Sequence, residues 1–106
     1  LSSELDALTE SLELVSQRYA RIFGISRDPA WFLLKLHEEM GELTQAYLAS
    51  TGQARAKGLS APELRESFEN EVADVLAHVL LLARHHGVDV DAVMQRKWLS
   101  RLPAPE

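Results

Sequence analysis

Two acidic groups could do chemistry in this chain. The first is Glu38-Glu39-x-x-Glu42 and the second is Glu71-x-x-Asp74. Both fall in stretches with helical periodicity, where residues three and four apart share a face. Glu38, Glu39 and Glu42 then lie within an arc of about 100°, and Glu71 and Asp74 share a face of their own helix. If the two helices pack side by side, five carboxylates project into one negative pocket. Such a pocket is costly unless cations fill it. Oxygen-only ligands suit hard ions, so Mg²⁺ or Mn²⁺ is the expected occupant. No Ser-His-Asp or Cys-His set is present, which leaves a covalent route without support. Gly41 and Gly52 do not make a phosphate-binding Walker loop.

The elements that must position these acids read as four helices. Ser2 or Ser3 caps the first, with Glu4 and Asp6 at its positive end. Its apolar stripe runs Leu5, Leu8, Leu12, Val15, Tyr19, Ile22, and Gly24 stops it. This helix is read as packing only. Asp28 caps the second helix and Pro29 takes its first position; it runs to about Ser50. Leu33, Leu36, Met40, Leu43 and Tyr47 form the expected core face. Lys35, Glu38, Glu39, Glu42 and Gln45 form another, with Trp31 on that side.

Thr51 to Leu59 contains Gly52 and Gly58 and reads as a loop. Arg55 and Lys57 in it read as part of a solvated connection, with a flap that carries cations to a phosphate as the alternative. Ser60-Ala61-Pro62-Glu63 opens the third helix with a capping box, and Gly87 ends it just past His86. From Val72 to Ala83 only Asp74 and His78 are not apolar. A helix apolar nearly all round is buried on most sides, and one small domain has difficulty supplying that cover. A second subunit is therefore expected. Asp74 in this setting needs a partner. No lysine or arginine lies within a turn of it on the helix, so a metal is the expected one. His78, a turn beyond, is read as a packing residue or a support for a metal ligand. Asp89 or Asp91 starts a short last helix that places Lys97 and Arg101 on one face, before Pro103 and Pro105.

With 106 residues the chain has room for one domain, 1–106. Its net charge of −5 argues against a basic surface for polymeric DNA or RNA. There is no cysteine, so disulfides and thiolate metal sites are out. No membrane-length apolar run and no signal peptide is visible, and a cytoplasmic location is expected. The chain starts at Leu1, as expected if a few residues precede it. No strand-like alternation of any length occurs, so the expected fold is an all-α, four-helix-bundle type completed by dimerisation.

At Glu38-Glu39-x-x-Glu42 followed by Glu71-x-x-Asp74, the chain resembles the MazG-like all-α nucleoside triphosphate pyrophosphohydrolases, whose pattern is EExxE, a gap, then ExxD. The gap here is 28 residues, at the long end, and contains the glycine-bearing loop. Trp31 and Lys35 precede the first motif in a Trp-x-x-x-Lys-x-x-x-Glu array. The second motif runs on as Ala-Asp-Val-Leu-Ala-His-Val-Leu-Leu-Leu-Ala, which is also similar to the phosphoribosyl-ATP pyrophosphohydrolases. The likeness covers about 28–101 without the loop.

The resemblance implies the reaction NTP + H₂O → NMP + pyrophosphate with Mg²⁺, and a housecleaning role in nucleotide pools. Glu39, Glu42, Glu71 and Asp74 match the family's metal ligands, and Glu38 its first acid, here the candidate base. Lys97 and Arg101 match its C-terminal phosphate-binding positions, although Ser100 stands near where relatives often carry asparagine. Trp31 and Lys35 are further substrate-binding candidates. Trp31 could stack on a base, as could Trp98, and a core or interface role is equally open for each. Ions held by carboxylates would offset repulsion between hydroxide and a triphosphate.

Phosphoribosyl-ATP is the alternative substrate. A di-iron bundle would need Glu-x-x-His pairs that the acid clusters lack. A non-catalytic helical dimer that binds metal or nucleotide is the third reading. A homodimer is the minimum assembly and a homotetramer the larger one, with the C-terminal basic pair reaching a neighbour's pocket.

Overall fold

The computed structural model describes residues 3–105. Local signals account for where its helices begin and end. Helix α1, Glu4–Phe23, is capped by Ser3, whose hydroxyl accepts from the Asp6 amide while the Asp6 carboxylate accepts from the Ser3 amide. The alternative cap, Ser2, lies outside the described residues. Gly24, at φ 64°, ends α1, and the Ile25 amide reaches back to the Ala20 carbonyl. Helix α2, Pro29–Ser50, starts where Asp28 accepts from the Trp31 amide at 2.8 Å. Helix α3, Ala61–His85, opens on the Ser60–Glu63 capping box: the Ser60 amide donates to Glu63 Oε1 at 2.9 Å. Asp89, not Asp91, caps α4, Val90–Lys97. The described chain is all-α, and none of its helices is long and apolar enough to cross a membrane.

The chain divides into two units. One comprises α2, the loop after it and α3 as far as Val79. Here α2 and α3 run antiparallel. Trp31 meets His78 at a ring separation of 6.2 Å, Glu39 lies beside His78, and Tyr47 meets Phe68 at 6.0 Å. Phe32 is buried, with the Arg27 guanidinium 5.2 Å from its ring centre.

The other unit holds α1, the end of α3 from Leu80, and α4. Arg84 grips Glu10 through two nitrogens at 2.9 and 3.1 Å and approaches Glu13 at 3.5 Å. Gln17 donates to Glu13 at 2.8 Å, so this buried acid is partnered. The Ser3 hydroxyl donates to Asp91.

Two expectations about faces are corrected. On α1 the buried residues are Glu13, Ser16 and Ala20, while Val15 and Ile22 of the apolar stripe are 68% and 62% exposed. On α2 the buried residues are Phe32 and Glu39; Leu33, Met40 and Tyr47 of the expected core face are exposed. On α3 Leu80 and Leu81 are buried while Val72, Leu76 and Val79 are exposed in the single chain; cover for part of this helix is what the sequence reading assigns to a second subunit. On α1 two of the three buried residues are polar, and on α2 one of the two is Glu39, so part of each apolar face stays uncovered in the single chain.

The last helix also departs from expectation. It ends at Lys97, and Leu99–Arg101 form a separate 3₁₀ turn. A 3₁₀ turn has about three residues per turn, so Lys97 and Arg101 do not continue one α-helical face.

Candidate metal centre

Antiparallel packing of α2 and α3 sets the two acidic motifs against each other. Carboxylate oxygens of Glu38, Glu39 and Glu42 lie within 4.8 Å of one another. Those of Glu39, Glu71 and Asp74 do the same. Glu39 belongs to both groups and is the pivot of the site. All five acids named from the sequence are thus brought together, and both donor sets are oxygen only.

Their surroundings differ. Glu39 is only 7% exposed. Burial, reinforced by the neighbouring Glu42 carboxyl, pushes its pKa up to about 7 against the opposing pull of Lys35. Burial and then the Asp74 charge also raise Glu71. Asp74 is exposed in the described chain, which corrects the buried setting that its apolar neighbours on the third helix suggest.

Glu39 Oε2 and Glu71 Oε2 are buried with no hydrogen-bond partner. An orphaned buried carboxylate oxygen is costly and rare in a folded protein. Two of them, on facing helices and surrounded by further carboxylates, fit a hard divalent ion better than any arrangement of the acids alone.

Lys35 meets the cluster from α2, with Nζ 3.3 Å from Glu38 and 3.6 Å from Glu39. It offsets part of the negative charge. His78 Nε2 stands 4.0 Å from Glu39, and its Nδ1 is buried without a partner. Burial holds its pKa down, which favours the neutral ring beside the acids. His78 is in neither acidic group. Trp31 packs edge-on to Phe32 and His78, at the end of the cluster nearer the start of α2. Lys97 and Arg101 belong to the other unit.

Beside the acids a cavity of about 800 Å³ opens between α2, the loop and α3. That is within the range of small-molecule sites, about 300–1,000 Å³. Glu38, Glu42 and Glu71 line it at one end, and loop residues 54–57 line it at the other. The sequence offered a weak signal for this cavity: a small-residue stripe of Gly41, Ala46 and Ala49 on the acid-bearing side of α2.

Gly41 needs no special backbone angle, and a β-carbon there would meet nothing within 4 Å. Glycine inside a helix costs roughly 0.5–1 kcal/mol relative to alanine. Gly41→Ala is therefore expected to stabilise the protein by about that amount in urea denaturation; a destabilised variant would show that something else occupies the space.

Comparison with protein-family models, curated proteins and solved structures gives no match to this chain. The class that fold and site define is an all-α protein with an oxygen-only carboxylate cluster around one buried glutamate, beside a cavity of about 800 Å³.

Proposed function

We propose that this chain is a Mg²⁺-dependent nucleoside triphosphate pyrophosphohydrolase of the MazG-like kind. The observation that carries the reading is Glu39: one buried carboxylate shared by two oxygen triads, with an oxygen that meets no donor. Glu39, Glu42, Glu71 and Asp74 would hold Mg²⁺, with Mn²⁺ as a substitute. When bound, such an ion neutralises phosphate charge and lowers the pKa of water.

The residues themselves do the rest. Water adds at the phosphoanhydride between the α and β phosphates; the bridging P–O bond breaks and its electron pair leaves with pyrophosphate. Glu38, 56% exposed at its side chain and at the mouth of the cavity, takes the proton from the water. Lys35 holds Glu38 and Glu39 in place through its ammonium. Trp31 offers a ring face for a base, and Lys97 and Arg101 offer cations for phosphate. A homodimer, or a homotetramer built from it, covers the apolar faces left exposed on α1, α2 and α3. A cytoplasmic housecleaning role completes the reading.

The test is a panel of ribo- and deoxynucleoside triphosphates with Mg²⁺, assaying pyrophosphate separately from orthophosphate. Monophosphate and pyrophosphate are the expected products, lost in Glu42→Gln and Glu71→Gln. Orthophosphate as the sole product would mean that a different bond is cut. No turnover on the panel, with hydrolysis of phosphoribosyl-ATP, would transfer the reaction to that substrate. Binding of nucleotide without turnover of either would reduce the protein to a sensor.

A further inference from the structure

The cavity beside the acids has two chemically opposite ends. Along α2 its wall is one helical stripe that begins at Glu38 and Glu42 and ends at Ala49. Glu42 and Ala49 are seven residues apart, about 10 Å along the axis. On α3 the facing wall runs from Glu71 through Ser67 to Leu64. The loop closes the far end with Arg55 and Lys57. A groove with carboxylates at one end and cations at the other is a poor receptor for a simple anion. It suits a ligand that brings cations to the first end and bare negative charge to the second.

The loop holds its cations in a defined place. The amides of Gln53 and Ala54 both donate to the Leu48 carbonyl, at 2.8 and 3.1 Å, which folds the chain back over the end of α2. The Leu59 amide donates to Ala56 at 3.1 Å, closing a turn around Lys57. Lys57 sits at φ 53°, the sole non-glycine residue with a positive φ among those described. Ala54 and Ala56 are half-buried, while Arg55 and Lys57 stay exposed. Among the described residues neither cation makes an ion pair, whereas Lys35, Arg65 and Arg84 are all matched with glutamates.

We infer that Arg55 and Lys57 form a phosphate subsite for the terminal, leaving end of a polyphosphate whose inner phosphates lie at the carboxylate end with Mg²⁺. This rests on the proposed reading of the acids as a Mg²⁺–polyphosphate site, and it gives that site a direction. The tail runs from Glu38 and Glu42 toward the loop, and the groove favours ligands with at least two phosphates beyond the first. The orphaned Glu71 Oε2, buried in the wall of the same cavity, is an independent sign that a cation belongs at the other end. Arginine supplies a planar fork for phosphate oxygens and lysine a point charge.

The test is calorimetric binding of inorganic pyrophosphate, inorganic tripolyphosphate and a nucleoside monophosphate to the full chain in excess Mg²⁺. The variants are Arg55→Gln, Lys57→Asn and the pair together. Asparagine tolerates the left-handed backbone at position 57, and Lys57→Gly is a second way to remove the charge without strain. Each single change is expected to weaken pyrophosphate and tripolyphosphate on the order of tenfold, and the pair about a hundredfold. Binding of Mg²⁺ alone and of the monophosphate stays as in the wild type. Arg65→Gln, on the exposed surface of α3 and paired with Glu69, serves as the neutral control.

Pyrophosphate binding within twofold of wild type in the double variant would overturn the subsite, as would a wild-type chain that binds no polyphosphate. Turnover is scored separately. A working hydrolase with an unchanged KM in the double variant would sink the subsite and leave the enzyme reading. Pyrophosphate binding that depends on Arg55 and Lys57 in a chain without turnover would do the reverse.

Discussion

Glu39→Gln is expected to abolish tight Mg²⁺ binding and to lower pyrophosphate release by about 10²–10³-fold or more. Both oxygen triads lose their common member, so neither Glu38 and Glu42 nor Glu71 and Asp74 can compensate. The same substitution should have the opposite effect on the metal-free fold. Glu39 is buried and its pKa is raised to about 7 from a normal 4.5, first by desolvation and then by Glu42. With a folded pKa above the unfolded one, the folded state binds the extra proton between pH 4.5 and 7. The associated stability is fully present below pH 4.5 and is lost as pH rises through 7. At about 1.4 kcal/mol per pH unit, the upper limit is roughly 3 kcal/mol. In EDTA, the wild type should therefore fall relative to Glu39→Gln between pH 5 and pH 8, and Mg²⁺ should restore only the wild type. Thermal melts at the two pH values, with and without Mg²⁺, read both effects. Equal slopes for the two proteins would show that Glu39 is not the strained group.

Val15→Asp is expected to convert a dimer into a destabilised monomer. In the isolated chain Val15 is largely exposed, and a charge there should matter by no more than about 0.5 kcal/mol. If the α1 stripe is the face covered by a second copy, the aspartate enters an apolar interface without a partner. That should weaken association by about a hundredfold or more. Sedimentation at several concentrations, with melting temperature followed in parallel, distinguishes the two. A variant that sediments and melts like the wild type would make the stripe ordinary surface. A wild-type monomer would remove the assembly from the proposal.

Much of the helical layout was legible because helix ends are local events. Asp28 with Pro29, Ser60 with Glu63, Gly24 and Gly87 each act within four or five residues, so they can be read one after another along the chain. The membership of the acid cluster was legible for a related reason. A three- or four-residue spacing places side chains on one face whatever that face meets. The sequence alone therefore determined the helical segments, the five carboxylates and the hard-ion chemistry that their oxygens allow.

What it could not determine was which face each helix buries. That depends on the rotation of one helix against another, a relation between residues far apart in the chain. Leu8, Val15, Tyr19 and Ile22 of the α1 stripe stay exposed in the described chain, and so do Leu33, Met40 and Tyr47, which the same reasoning turns inward. Asp74 was expected inside because its neighbours are apolar. Packing of α2 on α3 instead buried Glu39 and left Asp74 at the rim. The break at Trp98, which ends α4 at Lys97 and puts Arg101 in a 3₁₀ turn, was likewise not legible in the spacing. The tertiary structure also decided the role of the loop. Its sequence shows two cations among glycines, but only the fold-back onto Leu48 sets them across a cavity from the carboxylates. Charge at a site is written in residue types, whereas its position across the site depends on how the chain closes around it.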